Sequence, residues 1–117
     1  MMILNQMDQY QAVSLSEVFH ALGDPNRLAM VHRARQGEVP AGELAKELSI
    51  TLTATLKHLS VLEKAGLMRS IKVGRERKCS LELQALGSIE AWIEETRRMW
   101  NLRIDSLEAF LLSENEQ

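Results

Sequence analysis

The stretch from Thr51 to Leu83 constrains the fold of this chain most strongly, because its apolar spacing changes from a helical period to a period of two. Gly66 separates the two patterns and is expected to end the helix. Beyond it, Cys79, Leu81 and Leu83 alternate with polar residues, as on the inward face of a strand, and Gly74 marks the tip of a hairpin. A helix followed by a hairpin predicts a winged helix-turn-helix. The apolar helix face consists of Leu52, Thr55, Leu56, Leu59 and Leu62.

The charges of this stretch are one-sided. Between Lys57 and Lys78 there are seven Lys or Arg residues and two Glu residues, a local balance of +5. The whole chain of 117 residues has a formal net charge of −2, which leaves −7 for the remainder. A basic surface on an otherwise acidic chain favours a polyanionic partner, and we expect this partner to be double-stranded DNA.

Three shorter helices are predicted before the basic stretch. The first begins at Ser14, which has a glutamate three residues later, as in a capping box. Asp24 followed by proline is the pattern of an N-cap and a first-turn residue, so a second helix is expected over residues 25–36. Val39 and Pro40 are expected to begin a new segment, which continues into a short third helix. Residues 49–51 are expected to form the next turn. The predicted fold is mainly α, with about five helices and a small β-hairpin wing.

The last predicted element is a helix of about 27 residues that begins near Leu86. Apolar residues recur every three or four positions as far as Leu111. This apolar face is longer than a domain of this size can cover, so we expect the helix to pack on a second copy of the chain, giving a homodimer. Residues with weak helical spacing near the N-terminus are candidates for the same cluster: Ile3, Leu4, Met7 and Tyr10.

The composition, with 45% hydrophobic and 26% charged residues, fits a single globular domain. We expect an N-terminal extension at 1–14, a winged helix-turn-helix core at 15–84, a dimerisation helix at 85–112 and a tail at 113–117. No apolar run approaches the roughly 20 residues that a membrane helix needs, and no signal peptide is recognisable. The single cysteine agrees with a reducing compartment, so a cytoplasmic protein without a membrane partner is expected.

Four segments resemble the ArsR-type winged-helix transcriptional regulators. They are FHALGDPNRLAMV (19–31), SITLTATLKHLSVLEKAGL (49–67), KVGRERKCSLE (72–82) and WIEETRRMWNLRIDSLEAFL (92–111). The wing and the Trp-containing tail most resemble the non-metal branch of that family. The resemblance implies a homodimeric repressor that dimerises through its first and last helices. It also implies that the fourth helix enters the major groove of a palindromic operator while the wing follows the backbone.

The expected contact residues follow from this arrangement. A recognition helix reads base edges with its N-terminal residues, and wing cations reach phosphates or a minor groove. Lys57 suits either a guanine or a phosphate, and His58 suits either helix packing or DNA contact. The candidate DNA-binding residues are Thr51, which is also a helix cap, with Thr53, Ala54, Lys57, His58, Lys72, Arg75, Arg77 and Lys78. The candidate dimer interface consists of Leu15, Phe19, Trp92, Ile93, Met99, Trp100, Ile104, Leu107 and Leu111.

Other functions receive less support from the sequence. A thiolate metal site needs several converging Cys or His ligands, yet residues 41–48 and the last helix contain neither, so no metal or other cofactor is expected. No phosphate loop or nucleophile motif indicates an enzyme. Cys79 is expected to be an inert buried thiol, or a redox sensor if it proves exposed. Trp92 and Trp100 suit the dimer core better than a pocket for a small-molecule effector. A winged-helix protein-interaction module is the alternative to a DNA-binding regulator.

Overall fold

The computed structural model describes residues 15–115, which form five helices and a three-stranded antiparallel sheet. The prediction of a mainly α winged helix-turn-helix is therefore confirmed. The predictions for the N-terminal extension, including the cap at Ser14 and the cluster of Ile3, Leu4, Met7 and Tyr10, lie outside the described residues. Along the chain the elements are α1 (15–22), α2 (Pro25–Ala34), β1 (Val39–Pro40), α3 (Ala41–Leu48), α4 (Leu52–Lys64), β2 (Met68–Val73), β3 (Glu76–Leu81) and α5 (Gln84–Asn115).

The chain divides into two compact units, one ending at Leu86 and the other starting at Gly87. The first unit contains α1 to α4 and the sheet, and its core is formed by side chains from all of these elements. The largest fully buried side chains are Met30, Leu44, Leu59, Leu62, Leu67, Met68, Val18, Val39, Thr55 and Cys79. Burying these apolar surfaces is the main driving force for folding of the unit.

The second helix starts as its sequence predicts. The Asp24 carboxylate caps α2 by accepting hydrogen bonds from the backbone N–H groups of Asn26 at 2.9 Å and Arg27 at 3.1 Å. The helix ends at Ala34, two residues before the predicted end at Gln36. The prediction was wrong there because the backbone N–H of Gln36 donates to the carbonyl three residues earlier, which closes a tighter turn than an α-helix.

The sheet contains a strand that the sequence did not reveal. Its strand order is β1-β3-β2, and Val39 in β1 pairs with Cys79 in β3. A strand of two residues is too short to show an alternating pattern, so its partner on β3 decides its conformation. Pro40 has no N–H to donate, and it is tolerated here because β1 is an edge strand.

The fourth helix ends at the predicted glycine. Gly66 has a φ of 75°, a left-handed conformation that side chains with a Cβ rarely adopt. This turn lets the N–H of Leu67 donate to the carbonyl of Leu62 at 2.9 Å and the N–H of Gly66 to the carbonyl of Glu63 at 3.0 Å. The two bonds form a Schellman motif, and both leucine side chains are fully buried beneath it.

Two expectations for the C-terminal part need correction. Leu83 was expected on the inward face of a strand, but β3 ends at Leu81 and Leu83 is exposed. The Glu82 carboxylate accepts the N–H groups of Leu83 and Gln84, which begins α5 there. This helix has 32 residues rather than about 27, because it begins at Gln84 instead of near Leu86 and continues past Leu111 to Asn115. Among residues 15–115, no helix combines the length and apolarity needed to cross a membrane.

Candidate nucleic-acid interface

Ser49 forms the turn between α3 and α4. Its φ of 56° is left-handed, which is uncommon for a residue other than glycine. The turn allows the N–H of Ile50 to donate to the carbonyl of Ala45 at 3.1 Å, and the N–H of Ser49 to donate to that of Lys46 at 3.2 Å. These bonds end α3 and set the direction in which the chain enters α4.

Thr51 is the N-cap of α4, as predicted. Its Oγ1 accepts a hydrogen bond from the N–H of Ala54 at 3.0 Å. The backbone carbonyl of Thr51 also accepts the Thr55 hydroxyl at 2.9 Å, which satisfies this fully buried polar side chain within the helix. The cap fixes the N-terminus of the helix that is expected to read DNA, while a contact between Thr51 and a phosphate stays a prediction.

One face of α4 is buried and the opposite face is open. Thr55, Leu59 and Leu62 face the core. Thr53 and Lys57, both predicted DNA contacts, lie on the exposed face, and Ala54 beside them is partly buried. The polar side chains of Thr53 and Lys57 are therefore exposed on the N-terminal half of α4, where a recognition helix contacts base edges.

His58 is partly buried, and its side chain contacts α2. The guanidinium of Arg27 is hydrogen-bonded to it, with Nη1 of Arg27 3.2 Å from Nδ1 of His58. The Nε of Arg27 also donates to the carbonyl of Ala21 at 2.7 Å, and its Nη2 donates to that of His20 at 3.3 Å. Two roles were predicted for His58, and the hydrogen bond to Arg27 supports the one in which it packs between helices.

Arg27 also affects the pKa of Asp24, the N-cap residue of α2. The hydrogen bond from the backbone N–H of Arg27 is the largest influence that lowers the pKa of the Asp24 carboxyl from its usual 3.8. A hydrogen bond from the backbone N–H of Asn26 and the positive charge of Arg27 act in the same direction, while partial desolvation opposes them. The ionised carboxylate is the better acceptor at the N-terminus of α2, so the cap favours the charged form.

The wing consists of β2, β3 and the turn between them. Lys72 pairs with Arg77 across the hairpin, and Gly74 forms the tip with a φ of 64°. Lys72, Arg75 and Arg77 are exposed, whereas Lys78 is partly buried on the face opposite Cys79. Three of the four wing cations predicted to contact DNA are thus exposed at the surface.

Arg77 and Arg75 have different surroundings. The Nη1 of Arg77 donates to Oγ of Ser70 at 3.0 Å, and that hydroxyl donates to Oε1 of Glu63 on α4 at 3.1 Å. This chain of hydrogen bonds connects the wing to the helix that precedes it. Arg75, in contrast, makes no hydrogen bond or ion pair with any residue that the structure describes. Arg75 is therefore better suited than Arg77 to reach a separate molecule.

Leu52 and Leu56 depart from the predicted packing face of α4. Their side chains are 50% and 38% exposed, because the described residues place no core element over this side of the helix. They line an open groove of about 630 Å³ between α3, α4 and the wing. At about 100° per residue, Leu52 and Leu56 lie about 20° and about 60° around the helix from Leu59. These angles predicted that both leucines lie on the packing side, with Leu56 semi-buried.

Comparison with known proteins agrees with this architecture. The helix-turn-helix domain family matches residues 22–71. The transcriptional regulator YuzN of Bacillus subtilis is 38% identical over 85 residues, covering 66% of this chain and 92% of its own. The regulator Rv2034 of Mycobacterium tuberculosis is 28% identical over 103 residues, covering 88% and 94%. The crystal structure of the ArsR family regulator RHA00566 superposes with a TM-score of 0.73 at 36% identity, covering 77% and 93%.

The chain belongs to the ArsR family of transcriptional regulators. The predicted resemblance is confirmed, and so is the predicted function at this level: the protein is a DNA-binding transcriptional regulator with a winged helix-turn-helix domain. Membership of the family establishes the DNA-binding function. The exposed side chains of α4 and the wing are the candidates for the individual DNA contacts.

The remaining chemically reactive group of this ArsR-family regulator is Cys79. Its side chain is 0% exposed, and its Sγ lies 3.7 Å from the carbonyl of Arg77. Burial raises the pKa of the Cys79 thiol to about 11, and the nearby Glu63 carboxylate adds to the effect. The thiol is therefore protonated and inert at neutral pH. Among the described residues, no group of three or more His, Cys, Asp or Glu side chains is arranged to hold a metal ion.

Proposed function

We propose that this regulator acts in the cytoplasm as a homodimeric repressor of a gene controlled by a palindromic operator. The observation that carries the proposal is the shared exposure of Thr53 and Lys57 on α4 and of Lys72 and Arg75 on the neighbouring wing. A helix with exposed polar residues beside a cationic hairpin matches the two parts of a duplex, base edges and phosphates.

In the proposed complex, α4 lies in the major groove. Thr53 is close enough to the helix N-terminus to meet a base edge, and Lys57 lies one turn further along the same face. Lys57 donates to guanine O6 and N7 or to a phosphate, and both contacts favour an exposed lysine. His58 is assigned a supporting role, because Arg27 already occupies its Nδ1.

The wing is proposed to follow the phosphate backbone or an adjacent minor groove. Arg75 at the tip and Lys72 on β2 provide the charges, and Lys78 contributes its ammonium from the partly buried face. Arg77 contributes positive charge while its guanidinium also holds Ser70. Phosphate contacts of this kind provide affinity without sequence preference.

Dimerisation is proposed to involve α1 and α5. From Glu90 to Glu114 every side chain of α5 is exposed, although many are large and apolar. A second copy would remove this surface from water, and burial of an aromatic side chain such as Trp100 contributes strongly to such interfaces. The proposed interface side chains on α5 share one helix face: Trp92, Ile93, Met99, Trp100, Ile104, Leu107 and Leu111. Leu15 and Phe19 on α1 are the other residues proposed for dimerisation.

The DNA-binding proposal is tested by titrating the purified protein with the DNA upstream of its own gene, against random duplex, over a series of salt concentrations. We expect a specific footprint and an affinity that falls steeply with salt. Replacing Arg75 with Ala should weaken binding to both duplexes and reduce the salt slope by about one unit for each lost phosphate contact per half-site. Arg35→Ala, which removes an exposed cation outside the basic segment, is the matched control. Absence of binding even at low salt would favour the protein-interaction module.

The dimer proposal is tested by sedimentation of Trp100→Asp. An aspartate at the centre of an apolar interface would have to be buried without a partner, so monomers are expected. Arg98→Asp also introduces an acid on α5, but on the opposite side of the helix, and it should sediment like the wild type. Dimers formed by both variants would exclude this face of α5 as the interface. A dimer presents two α4 helices to half-sites roughly 34 Å apart, so the operator should have matching symmetry.

A further inference from the structure

Two exposed leucines are the least expected feature of the recognition helix. Leu52 is the first residue of α4 and Leu56 lies one turn later, so the two side chains are neighbours on the helix surface. They belong neither to the buried face of Thr55, Leu59 and Leu62 nor to the polar face that carries Lys57. This apolar pair at the N-terminal end of α4 contributes neither to the core of the domain nor to the proposed polar contacts with DNA.

The surroundings of this leucine pair are predominantly cationic. Lys46, Lys72, Arg75 and Arg77 line the same groove, together with the carboxylates of Glu43 and Glu76. Glu43 lies 3.5 Å from the guanidinium of Arg33 on α2, so its charge is partly compensated. The groove therefore joins an apolar surface on α4 to a rim with excess positive charge.

A duplex offers a surface of complementary chemistry. Phosphates border the major groove, and the only methyl group that projects into it is the C5-methyl of thymine. A leucine has no hydrogen-bond donor or acceptor, so it gains nothing from adenine, guanine or cytosine edges, and it leaves the cytosine amino group without a partner. Contact with a thymine methyl, in contrast, removes apolar surface of both partners from water.

We propose that Leu52 and Leu56 contact thymine C5-methyl groups and thereby specify thymine in each half-site, beside the bases faced by Thr53 and Lys57. The inference rests on the proposed position of α4 in the major groove. It is favoured by the continuity of the leucine pair with the exposed polar face of the same helix and by the cations across the groove. The occupant of the groove is thus the edge of the operator itself.

The experiment starts by selecting operator sequences from a pool of random duplexes with the full-length protein. Each thymine of a selected operator is then replaced in turn by uracil, which pairs with adenine in the same way and lacks only the methyl group. We expect about a fourfold loss of affinity for each methyl in contact, and no loss at the other thymines.

The variants Leu52→Ala and Leu56→Ala identify the residue that reads each methyl. Both positions are exposed and alanine favours a helix, so both variants should fold. Each is expected to bind the thymine and uracil operators equally at its own position and to keep the wild-type discrimination at the other. Ser60→Ala, also on the exposed side of α4, is the matched control and should discriminate as the wild type does.

Three outcomes would overturn the inference. If uracil is tolerated at every position of an operator that is still protected specifically, methyl groups are not read, while the proposed DNA-binding function stands. If both alanine variants discriminate like the wild type, another residue reads the methyl. If no sequence is enriched and binding is absent at low salt, the proposed function fails and this inference fails with it.

Discussion

Nη1 of Arg27 lies 3.2 Å from Nδ1 of His58, so a hydrogen bond joins α2 to the recognition helix α4. Arginine remains protonated and only donates, which requires Nδ1 to accept and leaves the imidazole proton on Nε2. The same guanidinium donates to carbonyls at the end of α1. One side chain therefore connects three helices, two of them assigned to dimerisation and DNA reading in the proposed function.

Removing this connection should lower stability. We expect Arg27→Ala to reduce the free energy of unfolding by about 1 to 3 kcal/mol, because partly buried carbonyls lose their charged donor. Arg27→Lys should recover little of it, since an ammonium cannot donate to all three acceptors in the same geometry. A urea titration measures both variants. A double-mutant cycle with His58→Leu should show a coupling energy above about 0.5 kcal/mol, and His32→Leu, an exposed histidine of α2, should show none.

The left-handed residue in the helix-turn-helix predicts a stabilising substitution. Ser49 has a φ of 56°, and its Cβ makes that conformation costly, so Ser49→Gly should stabilise the fold by about 0.5 to 1 kcal/mol. Ser49→Val should destabilise it, because a branched Cβ raises the cost further. Thermal denaturation gives both values. Ser60→Gly, a change of the same kind inside α4, is expected to lower the melting temperature, and a loss at both positions would argue against strain at Ser49.

The cap of the recognition helix offers a second stability prediction. Thr51→Ala removes the acceptor of the Ala54 N–H and should cost about 1 kcal/mol. Thr51→Ser keeps a hydroxyl in the same place and should cost much less. Chemical denaturation followed by circular dichroism compares the two. If Thr51→Ser binds the operator normally while Thr51→Ala binds weakly at temperatures where both are folded, the cap also positions the helix for DNA.

Burial of Cys79 predicts slow thiol chemistry. With the pKa raised from 9.0 to about 11, the thiolate fraction at pH 8 is roughly a hundredfold lower than in an unfolded chain. Iodoacetamide should therefore modify the native protein at least that much more slowly than the urea-unfolded protein. Mass spectrometry after timed quenching measures the rates. Comparable rates in the two states would mean that the thiol is accessible and would revive a redox role.

The same shift predicts a pH dependence of stability. The folded state keeps the Cys79 thiol protonated up to a higher pH than the unfolded state does. The contribution of this thiol to the free energy of unfolding is therefore fully present below about pH 9 and is lost as the pH rises toward 11. The wild type should lose on the order of 2 kcal/mol more than Cys79→Ala over that interval. Comparing the two proteins cancels the titration of lysines and tyrosine. Parallel stability curves would show that the thiol ionises as easily in the folded state.

Local chemistry made several parts of the fold predictable from the sequence. The Asp24 cap, the Thr51 cap and the Gly66 stop depend on residues within three to five positions, and the structure contains all of them. The change from helical to alternating spacing likewise revealed α4 and the wing, because each pattern reports which face of one element is buried. The positive charge of the wing could likewise be predicted from the sequence alone.

Tertiary structure decided the features whose partners lie far along the chain. Val39 became a strand because Cys79 pairs with it, and His58 acquired its role from Arg27, 31 residues earlier. The spacing of Leu52 and Leu56 gave them a place on the apolar side of α4, but exposure depends on whether another element packs there, and over that side lies an open groove. A sequence pattern specifies the directions in which side chains point from their own helix or strand, while only the packed fold determines what each of them meets.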